Sequence, residues 1–245
     1  MNLQNFKKAM VTVALFSTTA MLATATPING SFSFGGGATV NLTSLDFVPV
    51  GGGTGTIVTI PGPNTGSFAA LNGGFTFGSI TDRTDVSQPV GQPLSVTPYL
   101  TLAAFPTYLF TLELVLPGQF SSAQCFAAAA NGQVCTVPPS GDSVSPYNLN
   151  NFTDATAGLS SSASFSVRGT VIDTSDNSLS NFDGVFTATF LGQPYQQTLG
   201  TVFLGGSVNV PFSATFNVTS AVPEPSSILL GLSGLAMIAL VRRKK

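Results

Sequence analysis

The sequence predicts an all-β fold for most of the 245-residue chain, an antiparallel β-sandwich of jelly-roll type. Phenylalanine and β-branched residues alternate with serine, threonine and glycine, which is the period-two pattern of half-buried strands. The 26 glycines and 16 prolines interrupt these runs at short intervals and indicate turns. Between the two chain ends no stretch has a convincing helical period. A closed barrel is the nearest competing architecture.

Residues 1–25 have the pattern of a secretion signal. Lys7 and Lys8 provide a positive start, and an apolar stretch follows over residues 9–22. The tripeptide from Ala23 to Ala25 then has the small-x-small pattern that signal peptidase recognises. We therefore predict a signal peptide over residues 1–25 and a β domain over residues 26–220.

Eight runs carry the strand pattern most clearly. In one of them Phe165, Val167 and Val171 fall on one face, while Ser166 and Arg168 fall on the other. Segment 117–147 is the least regular part, and we predict that it is an insertion or a lid-like loop over one end of the sheets. The predicted strands cover residues 31–34, 39–47, 55–60, 74–80, 108–116, 162–172, 184–191 and 212–219.

The two cysteines, Cys125 and Cys135, lie inside this irregular segment, with nine residues between them. Export favours a disulfide, and two free buried thiols are the alternative. Asn131 and Gly132 indicate a turn, but a two-residue hairpin at that point would not place the cysteines opposite each other. Either the loop is wider or irregular, or the bond does not form.

The charged residues of the predicted domain limit its possible functions. Without the two end segments it has nine acidic residues and two basic ones, Arg83 and Arg168, so its net charge is near −7. This acidity argues against binding to nucleic acid or to an anionic membrane. Arg83 is expected to pair locally with Asp82 or Asp85.

Catalysis has little support in the sequence. The chain has no histidine, and the predicted domain has no lysine, so triads and bases that need these residues are excluded. A glycosidase needs two carboxylates, but Glu113, the sole glutamate of the domain, is expected to face outward from a strand. We therefore predict no enzymatic activity and no cofactor.

One polar cluster is a candidate calcium site, because calcium accepts oxygen ligands from loops between strands. Its spacing differs from that of an EF-hand. The alternative is ordinary turn chemistry, since aspartate and asparagine side chains accept hydrogen bonds from their own backbone. The cluster consists of Asp173, Asp176, Asn177 and Asp183.

The C-terminal residues 221–245 carry three ordered features. Pro223, Glu224 and Pro225 come first, and the prolines hold the chain extended. An apolar run over residues 226–241 follows, which as a short transmembrane helix would reach about 24 Å across a hydrocarbon layer of about 30 Å. A basic tail ends the chain and should stay cytoplasmic. The tail consists of Arg242, Arg243, Lys244 and Lys245.

This order of features resembles the PEP-CTERM sorting signal of exopolysaccharide-producing Gram-negative bacteria and cyanobacteria. The resemblance implies that an exosortase, a membrane-embedded cysteine protease, recognises Pro223, Glu224 and Pro225 and cleaves nearby. It also implies transient anchoring in the inner membrane, followed by residence in the cell envelope, at the outer surface or outside the cell. The middle region is similar to uncharacterised cyanobacterial members, which have no assigned activity.

Together these features predict an exported, exosortase-processed protein of the cell envelope or extracellular matrix, without catalytic activity. Signal peptidase and an exosortase-type protease are the expected partners, and exopolysaccharide is a further candidate. The alternative function is a secreted carbohydrate-binding module or polysaccharide hydrolase. A deep acidic cleft with facing carboxylates would favour this alternative.

Overall fold

The computed structural model describes residues 26–139 and 144–221. Within these ranges the chain forms twelve strands, one α-helix and two short 3-10 helices. The strands are β1 (Gly30–Val40), β2 (Ser44–Phe47), β3 (Thr54–Thr59), β4 (Phe77–Thr81), β5 (Arg83–Thr84), β6 (Val96–Leu102), β7 (Tyr108–Val115), β8 (Val134–Thr136), β9 (Asn148–Asp154), β10 (Gly158–Asp173), β11 (Ser178–Phe190) and β12 (Val208–Ser220). The α-helix is α1 (Tyr195–Phe203), and the 3-10 helices cover Gly66–Gly73 and Ser122–Gln124.

Eight of the strands form one closed, barrel-like sheet. Around the sheet the order is β10, β11, β12, β1, β3, β4, β6 and β7, and β7 pairs again with β10. Every ladder between these strands is antiparallel. The closure depends on β10, whose 16 residues pair with β11 along one edge and with both β7 and β9 along the other.

The closed sheet confirms the all-β antiparallel prediction but corrects the predicted architecture. A sandwich would consist of two sheets, whereas here one hydrogen-bonded ladder continues around the core, as in the competing barrel. The alternation of residues in a strand shows which face is buried, but it does not identify the neighbouring strand. Partner choice therefore could not be read from the pattern.

Side-chain alternation within the long strands is as predicted. Phe165, Val167 and Val171 of β10 are buried, whereas Ser166 is less buried and Arg168 is exposed. Strand β11 alternates strictly between buried and exposed positions over residues 178–186. This alternation places one face of each strand in a common core, which is the arrangement that a closed sheet requires.

Phenylalanine is the most frequent residue of this core, with nine of its 25 buried residues. Phe216 of β12 is fully buried, and its ring lies within 6.5 Å of five other phenylalanine rings, measured between centroids. Such ring pairs stabilise the folded state by more than the burial of their apolar area alone. The five partners come from three other strands of the closed sheet, β1, β7 and β11: Phe32, Phe34, Phe110, Phe182 and Phe186.

Two glycines make room for these rings. Gly184 is the register partner of Phe216, and a Cβ atom at position 184 would lie 2.7 Å from that ring. A Cβ atom at Gly169 would collide with the carbonyl oxygen of Thr111 and lie 2.7 Å from the ring of Phe182. Side chains larger than hydrogen at these positions would therefore force the strands or the rings apart.

We predict that Phe216→Ala lowers the free energy of unfolding by about 3–5 kcal/mol, because it removes a fully buried ring that packs against five others. Phe75→Ala is the matched control, since the Phe75 side chain is 72% exposed. Its effect should stay within about 0.5 kcal/mol. Urea unfolding of both variants and the parent measures the difference, and equal losses would contradict the proposed core.

Candidate functional site

An apolar cavity of about 90 Å³ lies inside one end of the closed sheet. Its wall comes from β1 and β2 and from the adjoining parts of β10, β11 and β12, while α1 lies against it. Phe47, Phe165 and Phe186 contribute rings to this wall.

Helix α1 covers this end through one apolar face. Tyr195, Leu199 and Val202 follow the spacing i, i+4, i+7 and are only 1%, 4% and 7% exposed. Pro194 stands at the N-cap, and Gly205 follows the helix with a φ of 84°, a left-handed conformation that favours glycine. The sequence shows no convincing helical period here, yet these nine residues form an α-helix.

A buried network of amide side chains fixes α1 in place. Asn151 of β9 is fully buried, and its Oδ1 accepts a hydrogen bond from the backbone N–H of Tyr195 at 3.0 Å. Its Nδ2 donates to Oε1 of Gln196 at 2.9 Å, and Nε2 of Gln196 donates to Oε1 of Gln133 at 2.9 Å. The Tyr195 hydroxyl donates to the carbonyl oxygen of Gln124 at 3.2 Å. The network therefore joins α1 to β9 and to the segment that holds the cysteines.

The disulfide holds that segment against α1. Cys125 and Cys135 are bonded, with 5.4 Å between their Cα atoms, and both are fully buried. They form a small apolar cluster with residues that include Leu149 and Tyr195. The predicted disulfide is confirmed. The loop is irregular, because the 3-10 helix Ser122–Gln124 precedes Cys125 while Cys135 lies in β8.

Arg83 of β5 forms a buried ion pair near the cavity. Its side chain is 2% exposed, and its Nη2 lies 2.8 Å from Oδ1 of Asp85, which confirms a local pairing. The guanidinium carbon lies 5.8 Å from the centroid of the Tyr147 ring, within range of a cation–π interaction. Burial raises the pKa of Tyr147, and the positive charge of Arg83 opposes this rise. The cavity wall includes Tyr147 but neither member of the ion pair.

The candidate calcium ligands Asp173, Asp176 and Asn177 lie at the far end of the sheet, where they form the turn between β10 and β11. The side chain of Ser175 donates to Asp173 and lowers the pKa of its carboxyl. The backbone N–H of Ser178 donates to Asp176 at 2.8 Å and lowers the pKa of that carboxyl. Asn177 has a φ of 59°, which asparagine adopts more readily than most residues.

Asp183 does not join the turn. It lies five positions into β11, about 17 Å along the strand, and its Oδ1 accepts from Nε of Arg168 at 2.7 Å. Within residues 26–139 and 144–221 no three histidine, cysteine, aspartate or glutamate side chains form a group that could hold a metal. The hydrogen bonds at positions 173–178 have the form of ordinary turn chemistry.

Glu113 faces outward, as expected. It is exposed between the buried Leu112 and the half-buried Leu114, and its Oε1 accepts a hydrogen bond from Oγ1 of Thr170 at 2.8 Å.

Comparison with known families concerns the C-terminal end. Residues 221–245 match the family model of the PEP-CTERM protein-sorting motif. This chain is a PEP-CTERM motif-containing protein. The motif indicates an exported, exosortase-targeted protein of the envelope or the extracellular space. No curated protein and no solved structure matches the chain. The predicted recognition residues and the basic tail fall in this match but outside the described residues: Pro223, Glu224, Pro225, Arg242, Arg243, Lys244 and Lys245.

The PEP-CTERM motif begins directly after the last strand of the sheet. Strand β12 ends at Ser220, which pairs with Ser180, and the match starts at residue 221. At the same end Gly30, the first residue of β1, pairs with Val218. The chain therefore enters and leaves the fold at one end. The cavity lies beside Val210, about 30 Å farther along β12.

The predicted membrane segments lie outside the described residues. In the ranges 26–139 and 144–221 no helix combines the length and the apolar character needed to cross a membrane. The apolar run 226–241 and the signal peptide 1–25 remain predictions from the sequence.

We predict that the double variant Cys125→Ser, Cys135→Ser loses about 2–3 kcal/mol of stability, the chain-entropy contribution of so short a loop. Thermal unfolding measures the loss. Alkylation of the native parent without reduction should label neither cysteine. Quantitative labelling of both thiols in the folded parent would contradict the disulfide.

Proposed function

We propose that the protein is a non-catalytic component of the cell envelope or extracellular matrix, released from the inner membrane by an exosortase. The observation that carries this proposal is the PEP-CTERM motif at residues 221–245, directly after the closed sheet. In this proposal the apolar run 226–241 anchors the chain transiently, and the basic tail keeps the end of the anchor in the cytoplasm.

The position of Thr26 supports removal of the signal peptide. The backbone nitrogen of Thr26 lies 3.3 Å from Oδ2 of Asp176. Cleavage after Ala25 would convert this nitrogen into a charged amino group, so the hydrogen bond would become an ion pair. Loss of the signal peptide therefore creates a contact that favours the mature fold.

The lowered pKa values of three turn carboxylates support the proposal that the protein is not catalytic. Those of Asp154, Asp173 and Asp176 accept hydrogen bonds from their own turns, which lower the pKa of each and make them weak proton acceptors at neutral pH. With no histidine in the chain, a general base would have to come from another carboxylate.

One pair of carboxylates supports the alternative, a carbohydrate-binding module or polysaccharide hydrolase. Burial raises the pKa of Asp82, and the charge of Asp46 adds to this effect. However, Oδ1 of Asp82 accepts from the backbone N–H of Phe47 at 2.8 Å, and Asp46 accepts from the N–H of Gly51. These bonds hold the connection between β2 and β3, and such a structural role accounts for both side chains.

Replacing Pro223, Glu224 and Pro225 by alanine should leave export intact and block processing, because the apolar run and the basic tail persist. The unprocessed chain should then accumulate in the inner membrane. Mass spectrometry of terminal peptides from cell fractions of the native host measures this. The matched control replaces Pro61 and Pro63, which lie in a surface loop, and should be processed normally. Processing of the motif variant at the parent's rate would refute the role of the motif.

A screen of the exported protein against polysaccharides should detect no hydrolysis. If hydrolysis were found, Asp82→Asn and Glu113→Gln would be the deciding variants, with Asp154→Asn as the matched control. Activity that disappears in either deciding variant and persists in the control would overturn the non-catalytic proposal in favour of the hydrolase.

A further inference from the structure

We propose that the apolar cavity beneath α1 binds a small, neutral, largely apolar molecule that carries one hydrogen-bonding oxygen. This site is separate from the sorting signal and does not depend on the proposed function. Three features support this site: the apolar wall, a hydroxyl group of Thr198 that has no partner in the described residues, and an adjoining cleft.

The wall selects against charged ligands. It consists of aliphatic and aromatic side chains from the strands and α1, with Asn41 and a few serine and threonine residues as its polar members. No aspartate, glutamate, lysine or arginine belongs to it. The nearby guanidinium of Arg83 is already paired with Asp85. An ionised ligand would lose its hydration without gaining a counter-charge, so the cavity suits a neutral one.

Thr198 provides the polar contact. Thr198 is among the residues that line the cavity, and its Oγ1 is buried without a hydrogen-bond partner in the part of the chain that the structure describes. A buried hydroxyl without a partner is costly, because it has lost its bonds to water. Thr201, three residues later in α1, differs in this respect, because its Oγ1 donates a hydrogen bond to the carbonyl oxygen of Gln197. A ligand oxygen inside the cavity would satisfy Thr198.

A more open cleft of about 220 Å³ adjoins the cavity and provides a route of entry. The two share Asn41, Leu42 and Val202, so the cleft lies between the turn after β1 and the C-terminal end of α1. Gly205 and Gly206 form its other side. A short alkyl chain could pass from this cleft into the cavity without separating any ladder of the closed sheet.

The probe for this site is 1-hexanol, compared with hexane, which lacks the oxygen. The melting temperature is measured against probe concentration for the protein as its native host exports it, purified without detergent. Four variants are compared with the parent. Thr198→Val removes the hydroxyl, Thr201→Val is its matched control outside the cavity, Ala163→Leu fills the cavity, and Ala188→Leu fills it from another strand if the first does not fold.

We expect 1-hexanol to raise the melting temperature of the parent saturably and more strongly than hexane does, because a ligand that binds the native state stabilises it. Thr198→Val should weaken hexanol binding about tenfold, to the level of hexane, which is the effect of one hydrogen bond. Thr201→Val should bind like the parent, and a filled cavity should respond to neither probe. Equal responses of the parent and a folded filled variant, or no saturable response of the parent, would overturn the site. Equal binding of hexanol and hexane to the parent would overturn the role of Thr198.

Discussion

Closure of the sheet around the phenylalanine rings is the constraint on which the rest of the structure depends. Charged residues make up 7% of the chain, so the domain has few of the charges by which open sheets protect their edges from other chains. In a closed ladder, each of the eight strands has a neighbour on both sides. Closure therefore protects the strand edges, a role that charged surface residues have in open sheets. Burial of the rings inside stabilises the closed sheet.

The two ends of the closed sheet are covered by different elements. Near the chain ends Phe32 packs on Phe68, with 4.4 Å between the ring centroids, and the 3-10 helix Gly66–Gly73 covers that end. At the other end α1 and the disulfide segment form the cover, and a cavity remains beneath them. Helix α1 keeps its position above this cavity because the network around Asn151 and the disulfide fix the cover.

Several features of this arrangement could be predicted from the sequence, and others could not. The alternation over residues 164–171 identified the buried face of β10 correctly, and the isolated cysteine pair identified the disulfide. Strands β6 and β9 were missed, because Pro98 interrupts one and asparagines dominate the other. Helix α1 was missed because its period spans fewer than three turns and includes Gly200. The spacing of Tyr195, Leu199 and Val202 after Pro194 is the signal that could have found it. The cavity depends on contacts between distant strands, which no local pattern records.

The position of the PEP-CTERM motif has a mechanical consequence. Backbone pairing of β12 continues to Ser220, so residues 221 and 222 alone separate the last paired residue from Pro223. In the proposed membrane-anchored stage, so short a spacer would bring the chain-end side of the sheet close to the membrane surface. The acidic turn at Asp173 and Asp176 lies on that side. Because like charges repel, these carboxylates would hold the sheet off anionic lipid headgroups while the amino group of Thr26 partly offsets them. In this proposed stage the cavity, which lies at the opposite end of the sheet, would point away from the membrane.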